Sequence, residues 1–231
     1  ILIKIGASLD QVMHGVKTRI FDVHGFGSKR ATIEFLQKIY IIKPDIIHLH
    51  NIHGYYINIE ILFDYLTQVN APIIWTLHDC WPFTGHCTHF DYVRCDRWKR
   101  ECNHCPQIRM YPKSFFVDNC RRNYINKRRL FTSVKGLTLV TPSKWLKGLA
   151  KQSFLNMADI RYIPNGIDLN IFKPSKKKDR ILGKDINGKF VILGVANRWD
   201  ERKGFEIFLK LARAISNDCI IVLVGVSKQQ M

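Results

Sequence analysis

Short apolar runs that alternate with helical patterns constrain the fold of this chain more than any other feature of its sequence. The runs at residues 45–50, 73–77 and 137–141 are rich in Ile, Leu and Val, and amphipathic patterns separate them. Parallel strands that are buried on both faces have this composition, and they need a crossover connection, usually a helix, between them. The sequence therefore predicts an α/β fold with a parallel, doubly wound sheet.

Four helices are predicted from apolar residues at helical spacing. Ser28 and Ser143 are suitable N-cap residues for two of them, and Pro44 ends the first. Three of the predicted helices cover about residues 28–42, 57–69 and 121–131, and the fourth begins at residue 143. Residues 1–5 predict the remnant of a further strand, whereas residues 6–26 show no strong period.

A change in composition divides the chain after the turn residues Pro164, Asn165 and Gly166. The segment that follows is polar and carries Lys176, Lys177 and Lys178, as a linker does. A new strand–helix–strand pattern then begins. The predicted divisions are an N-terminal Rossmann-like domain over residues 1–165 with a cysteine-rich insert at 80–106, a linker over 166–188, and the start of a second Rossmann-like domain over 189–231.

Positive charge is the main compositional feature, since the 231 residues carry a formal net charge of +17. Residues 94–129 hold 11 Lys or Arg residues against three acidic ones. Such a surface attracts nucleic acid, anionic lipid or phosphorylated substrates, or it only keeps the protein soluble. No apolar run approaches the roughly 18 residues that a membrane-spanning helix needs, so we expect none.

Five of the seven cysteines lie within residues 80–105, among several aromatic residues. Four of them form a C-x7-C-x6-C-x2-C pattern at Cys87, Cys95, Cys102 and Cys105. A final C-x2-C pair is typical of a tetrahedral structural zinc site, but the first two intervals are unusual. Two interpretations therefore stay open: a structural zinc ion, or buried free thiols that pack as small apolar groups. Disulfides are expected only in an exported protein.

A set of short motifs occurs in one order along nearly the whole chain. They are PDIIHLH at 44–50, WTLHD at 75–79, VTPS at 140–143, PNGID at 164–168 and RKG at 202–204. This ordered set resembles the retaining glycosyltransferases of glycosyltransferase family four, which have the GT-B fold of two Rossmann-like domains. Residues 75–106, with TGHC at 84–87, resemble a bacterial branch that builds surface polysaccharides such as colanic acid or capsule.

The resemblance implies a reaction. A nucleotide-diphosphate sugar binds in the cleft between the two domains, and a growing polysaccharide or a lipid-linked glycan accepts the sugar with retained anomeric configuration. Cationic side chains and helix N-terminal amides stabilise the leaving diphosphate, so no catalytic metal is expected. The resemblance also implies a cytoplasmic protein, at the inner face of the cell membrane, with no nucleic acid among its partners.

The resemblance assigns roles to individual residues as well. The predicted site residues are His78, Arg198, Lys203, Gly204, Asn165 and Gly166 on the donor side, and His50, Asn51 and Asp79 on the acceptor side. His78 matches the histidine that lies against the donor sugar, and Asn165 and Gly166 match the interdomain junction. Arg198 and Lys203 follow a predicted strand. At this position they either stabilise the diphosphate of the donor or are surface charges that cap a loop. Asp79 either orients the His78 imidazole or holds its own loop.

Two features of the family are missing from the sequence. There is no glycine-rich loop after a first strand, and the paired glutamates of the second domain, seven residues apart, are absent. We therefore expect the chain to be a fragment that lacks both ends of a longer protein and is inactive by itself.

A function of another class also accounts for some of these features. A zinc-stabilised nucleic-acid-binding module would combine the basic charge, the cysteines and the interleaved aromatic residues. It would not require the repeated strand–helix units or the PNGID junction. Steeply salt-dependent binding of nucleic acid without any response to nucleotide sugars would identify such a module.

Overall fold

The computed structural model describes residues 2–174, 180–181, 184–186 and 188–230, and its largest sheet has four parallel strands. In their order across the sheet, the strands are β1 (Ile47–His50), β2 (Ile73–Thr76), β3 (Thr138–Thr141) and β4 (Asp159–Tyr162). His50 lies beside Thr76, and Thr76 lies beside Val140. The carboxyl ends of the strands therefore meet at one edge, and the predicted α/β class with a parallel sheet is confirmed.

Helices precede and connect these strands. They are α1 (Ser8–Phe21), α2 (Lys29–Ile42), α3 (Ile59–Leu66), α4 (Cys120–Phe131) and α5 (Lys144–Ala150). The four predicted helices are therefore confirmed. Ser143 caps α5 as expected, because its Oγ accepts a hydrogen bond of 3.1 Å from the Leu146 amide. Ser28 occupies the N-cap position of α2, but its hydroxyl does not cap the helix and donates to the Tyr55 carbonyl instead.

The predictions for the first 26 residues were wrong. Residues 2–5 form no strand, and α1 occupies part of the region in which no period was recognised. The buried residues of α1 are His14, Gly15 and Thr18, whereas its large apolar side chains, such as Val12 and Met13, are exposed. A helix that buries small and polar residues has no apolar period to detect.

Three aromatic rings form the centre of the core on one side of the sheet. Phe63 of α3, Trp75 of β2 and Phe131 of α4 are all at most 2% exposed. The Phe131 ring centroid lies 4.5 Å from that of Phe63 and 4.9 Å from that of Trp75. Burial of such rings stabilises the fold through their large apolar area and their tilted ring contacts. This cluster fixes α3 and α4 against β2.

The chain between β2 and α4 forms only short 3₁₀ turns, at Trp81–Phe83, Asp91–Val93 and Arg97–Lys99. Buried polar contacts stabilise the conformation of this segment. The Asp22 carboxylate accepts hydrogen bonds from the His86 Nδ1 at 2.6 Å and from the Asn119 amide at 3.0 Å. The Lys127 ammonium, which is fully buried, donates to the carbonyls of Trp81 and Thr84.

Contacts within the chain divide it into two units, Ile1–Asn165 and Gly166–Met231. In the second unit, β7 (Phe190–Val195) and β8 (Cys219–Val224) pair in parallel, and α6 (Phe205–Ala214) connects them. A short antiparallel pair, β5 (Arg180–Ile181) and β6 (Lys184–Asp185), precedes them. The predicted linker residues Lys176, Lys177 and Lys178 lie outside the described residues.

The buried His14 ring stabilises the loop between α1 and α2 through hydrogen bonds. Its Nε2 accepts hydrogen bonds of 3.2 Å from the amides of Gly25 and Gly27, so Nε2 carries no proton. The proton therefore lies on Nδ1, 2.9 Å from the Ser28 hydroxyl. A side chain at Gly27 would have no room, because its Cβ would lie 2.4 Å from the His14 ring. Burial, with a smaller contribution from Lys17, lowers the pKa of His14 to about 4.

This arrangement predicts that acid destabilises the protein through His14. The unfolded chain takes up a proton near pH 6.5, whereas folded His14 resists protonation until about pH 4. Stability should therefore fall as the pH is lowered from 6.5 to 4, by up to about 3 kcal/mol from this group. Thermal unfolding of the wild type and of His14→Gln across this range measures the effect.

The variant should be less stable than the wild type at pH 7 and should lose less stability on acidification. His104→Gln, which alters an exposed ring, is the control and should follow the wild type. If the stability of His14→Gln and that of the wild type changed equally with pH, the pKa of His14 would be the same in the folded and unfolded states, which would contradict the prediction.

Candidate functional site

Two histidines meet at the carboxyl edge of the four-stranded sheet. His50 ends β1, and His78 lies two residues beyond the end of β2. The His50 Nδ1 and the His78 Nε2 are 2.9 Å apart, and the two rings stack with centroids separated by 5.2 Å. Both side chains are exposed. The sequence placed these residues on different strands, and the structure brings them into contact.

The surroundings of this histidine pair favour an uncharged His50. Partial desolvation lowers the pKa of His50, and the neighbouring rings of His48 and His78 lower it further. Because two positive rings at this distance would repel each other, one ring nitrogen of the pair donates and the other accepts. The pair therefore presents imidazole nitrogens to water at the edge of the sheet, and such nitrogens can form hydrogen bonds with hydroxyl groups.

Asp79 holds the turn that follows β2. Its Oδ1 accepts a hydrogen bond of 2.9 Å from the Trp81 amide, and its Oδ2 lies 3.1 Å from the His53 Nε2. Burial alone would raise the pKa of Asp79, but the adjacent His53 ring and the hydrogen bond from the Trp81 amide outweigh burial and lower it. Of the two roles that the sequence left open for Asp79, these contacts favour the structural one. It accepts a hydrogen bond from the Trp81 amide and lies against the His53 ring, and the carboxylate stays charged.

Asn51 closes the turn after β1. Its backbone has φ +30°, and its carbonyl accepts a hydrogen bond of 3.0 Å from the Tyr56 hydroxyl. Left-handed conformations of this kind are more favourable for asparagine than for most residues. Asn51 therefore shapes the edge on which His50 lies.

A cluster of rings that the sequence did not predict lies behind this edge, around His24. The ring centroids closest to it lie 4.7 to 6.3 Å away and belong to Tyr55, His53, Trp81, Tyr111 and His14. His24 is buried, and burial, followed by the nearby His53, lowers its pKa well below the usual value. Neither of its ring nitrogens has a hydrogen-bond partner within the described part of the chain. Residues so far apart in sequence carry no shared pattern that would reveal the cluster.

A sizeable cavity of the first unit lies elsewhere. It measures about 560 Å³ and is lined by residues such as Pro44, Asp45 and Ala71, which precede β1 and β2. In parallel α/β sheets, ligands bind beyond the carboxyl ends of the strands. The candidate site is therefore the His50–His78 edge, where the polar side chains meet, and not this cavity.

The four cysteines that the sequence singled out come together in the structure. Cys87, Cys95, Cys102 and Cys105, called here the cysteine cluster, line one small cavity. All seven cysteines are free thiols. The Gly85 amide donates to the Cys102 sulfur at 3.3 Å, and the thiols of Cys87 and Cys105 share a hydrogen bond. Among the described residues, no group of three or more His, Cys, Asp or Glu is placed so that it could hold a metal ion.

In the second unit, a cavity of about 540 Å³ opens beyond the carboxyl ends of β7 and β8. Arg198 and Gly225 are among the residues that line it. Gly225 has φ +87°, and a Cβ there would lie 1.7 Å from the Ala196 carbonyl oxygen, so only glycine fits. The Trp199 indole donates to the Val224 carbonyl at 2.9 Å and ties the two strand ends together.

Lys203 ends a 3₁₀ turn just before α6, and its side chain is exposed. Its amide donates to the Asp200 Oδ1 at 2.9 Å. Gly204 is the N-cap of α6 and has φ +75°, a conformation that suits glycine. Asn165 and Gly166 are exposed, and the division between the two units falls between them.

Two comparisons with known proteins find matches. The sequence profile of Glycosyltransferase Family 4 matches residues 11–171. A putative colanic acid biosynthesis glycosyl transferase of Escherichia coli (strain K12), WcaC, is 31% identical over 133 residues, which are 54% of this chain and 32% of the relative. The aligned part of this chain thus spans about a third of that relative's length. No solved structure matches.

Proposed function

The chain belongs to glycosyltransferase family 4, and on that premise we propose that it transfers a sugar from a nucleotide-diphosphate sugar to a glycan acceptor with retention of configuration. The name of the similar Escherichia coli protein supports an acceptor in surface polysaccharide synthesis, either the growing polysaccharide or a lipid-linked glycan. The matched family residues include the whole edge that carries His50 and His78.

The histidine pair carries this proposal. It is exposed, polar and placed beyond the carboxyl ends of neighbouring parallel strands, where an α/β sheet binds its ligands. In our assignment, His78 hydrogen-bonds the donor sugar, and His50 lies on the acceptor side with Asn51. Asp79 contributes by holding the turn that presents His78, through its hydrogen bond from the Trp81 amide and its contact with His53.

The second unit supplies the diphosphate site in this proposal. Negative charge develops on the leaving diphosphate as the glycosidic bond breaks, and cationic groups placed in advance stabilise it. Arg198 lines the cavity beyond β7 and β8, and Lys203 lies at the amino end of α6, which carries the positive end of the helix dipole. Gly204 lets the chain enter that helix. We assign Asn165 and Gly166 to the junction between the two domains.

No catalytic metal takes part in the proposed reaction. Two cationic side chains and the helix amides provide positive charge of the kind that a divalent ion provides elsewhere. The acceptor hydroxyl attacks the face from which the diphosphate departs, so the diphosphate oxygens lie close enough to take the hydroxyl proton. Placement of donor and acceptor is then the main contribution of the histidine edge.

Replacement of Lys203 tests the function. In the full-length protein, Lys203→Ala should lower turnover with a nucleotide-sugar donor by about 100- to 1000-fold, because a preorganised partner of developing charge is lost. Lys203→Arg keeps the charge with a different shape and reach, so it should restore part of the loss. Steady-state kinetics with a panel of nucleotide sugars makes the measurement, and circular dichroism checks the fold.

The matched control is Lys210→Ala, which removes an exposed lysine from the body of α6 and should leave turnover unchanged. Equal turnover in Lys203→Ala and Lys210→Ala would remove Lys203 from the site. A wild-type protein that hydrolyses or transfers no sugar from any member of the panel would count against the function itself.

We also propose that residues 94–129 bring the protein to an anionic membrane surface, where a lipid-linked acceptor would lie. Ten of the 11 basic side chains in this segment are exposed, and the exception is Lys127. No helix in the described parts of the chain is long and apolar enough to cross a membrane. The binding that we propose is electrostatic attraction of these exposed basic side chains to the membrane surface.

Sedimentation with lipid vesicles tests this surface. Binding should be stronger to vesicles with phosphatidylglycerol than to neutral ones and should weaken at high salt. Each basic residue near such a surface contributes about 1 kcal/mol at best, so removal of four should weaken binding by about tenfold or more. The test variant replaces Arg94, Arg100, Lys113 and Arg122 with Gln.

A control with the same loss of net charge replaces four exposed lysines outside the segment, Lys29, Lys38, Lys135 and Lys151, with Gln. It should bind almost as the wild type does. Equal binding to neutral and anionic vesicles, or equal weakening in both variants, would contradict the proposed surface.

A further inference from the structure

The insert, residues 80–106, lacks the regular structure that holds the rest of the first unit. Within it the described chain forms three single 3₁₀ turns and no helix or strand. Loops of this length without secondary structure are uncommon in compact domains and are usually either functional or disordered. Five of the seven cysteines of the whole chain lie in this insert.

The final two members of the cysteine cluster lie on a tight, well-supported turn. The Arg97 guanidinium donates to the carbonyl oxygens of Asn103 and His104, the two residues between Cys102 and Cys105. His104 has φ +42°, and the Cys105 amide donates to the Asp118 carboxylate at 2.7 Å. Two thiols on such a turn face the same space.

The remaining contacts also direct sulfur atoms toward one cavity. The Gly85 amide donates to the Cys102 sulfur, a bond that stabilises a thiolate as well as a thiol. A side chain at Gly85 is excluded, since its Cβ would lie 2.9 Å from the Cys102 Cβ and 2.0 Å from the Cys120 carbonyl oxygen. The thiols of Cys87 and Cys105, 18 residues apart, already share a hydrogen bond.

Packed aromatic rings lie beside the cavity. The rings of Phe90 and Trp98 stack with centroids 4.7 Å apart, and Phe83 lies 5.4 Å from Trp98. The Trp98 indole donates to the Cys95 carbonyl at 3.1 Å, which fixes the second cysteine of the pattern. The cavity measures only about 10 Å³, which suits a single ion and not a multinuclear cluster.

We propose that the cysteine cluster binds one structural zinc ion as four thiolates. Binding releases four thiol protons to the solvent, and the complex of one Zn²⁺ with four thiolates carries a net charge of −2. The Gly85 amide and Arg97, which lines the cavity, offset this charge. The thiols must turn further into the cavity to reach the zinc–sulfur distance of about 2.3 Å.

The other cysteines do not serve as ligands in this proposal. The thiol of Cys120, which also lines the cavity, is hydrogen-bonded to Asp118. Cys80 is buried away from the cavity, and Cys219 belongs to the second unit. Soft thiolate ligands and tetrahedral geometry favour zinc over magnesium or calcium.

Metal analysis of the purified full-length protein tests the proposal. It should contain about one zinc per chain and no iron. Titration with a mercurial reagent should release that zinc, and the zinc should leave as four thiols react. Substitution by cobalt(II) should give the visible absorption of a tetrahedral thiolate site. A strong chelator should lower the melting temperature, because the ion orders the insert.

Cys95→Ser should abolish zinc binding, and Cys219→Ser is the control that should keep the full zinc content. If Cys95→Ser fails to fold, the zinc content, mercurial titration and cobalt spectrum of the wild-type protein still test the proposal. Zinc far below one per chain, zinc retained in a folded Cys95→Ser protein, or iron in its place would each overturn the proposal. These outcomes are independent of turnover, so they do not depend on the proposed function.

Discussion

The buried contact between Asp22 and His86 is the interaction on which the rest of the first unit depends. Both side chains are fully buried, and they join the end of α1 to a segment 64 residues further along the chain. Burial raises the pKa of Asp22. Burial alone would lower the pKa of His86, but the hydrogen bond that His86 donates to the Asp22 carboxylate raises it. The Asn119 amide donates to the Asp22 carboxylate and the Asn123 side chain donates to the Asp22 carbonyl, so Asp22 also contacts the start of α4. Loss of one partner of such a buried pair typically costs about 3–5 kcal/mol.

Lys127 extends this buried network to the candidate site. Its ammonium bonds to two carbonyls of the Trp81 turn and lies 3.4 Å from the centre of the Trp81 ring, and burial lowers its pKa to about 7. The same turn is held from the other side by Asp79. His78 therefore emerges from a turn that is fixed at both ends. A family 4 glycosyltransferase needs this rigidity if a histidine is to position a sugar, because catalysis depends on the placement of groups that are already ordered.

The sequence predicted those parts of the structure that depend on local patterns. Apolar periodicity located β1 to β3 and four helices, and the carboxyl edge of the strands placed His50 and His78 in one region. Helix α1 was missed because it buries His14, Gly15 and Thr18 and exposes its apolar residues. The rings around His24 were missed because only the fold brings them together. The nucleic-acid alternative relied on charge and cysteines, and neither feature distinguishes such a module from this family.

The central claim is that the His50–His78 edge is where the sugar donor and acceptor meet. Nuclear magnetic resonance of full-length protein with isotope-labelled histidines tests it directly, through a titration with UDP-glucose, GDP-mannose and other common nucleotide sugars. The account predicts that the donor which binds shifts the resonances of His78 and His50, while those of His86, buried against Asp22, stay unchanged. Saturable donor binding that leaves both His50 and His78 unshifted would contradict the account.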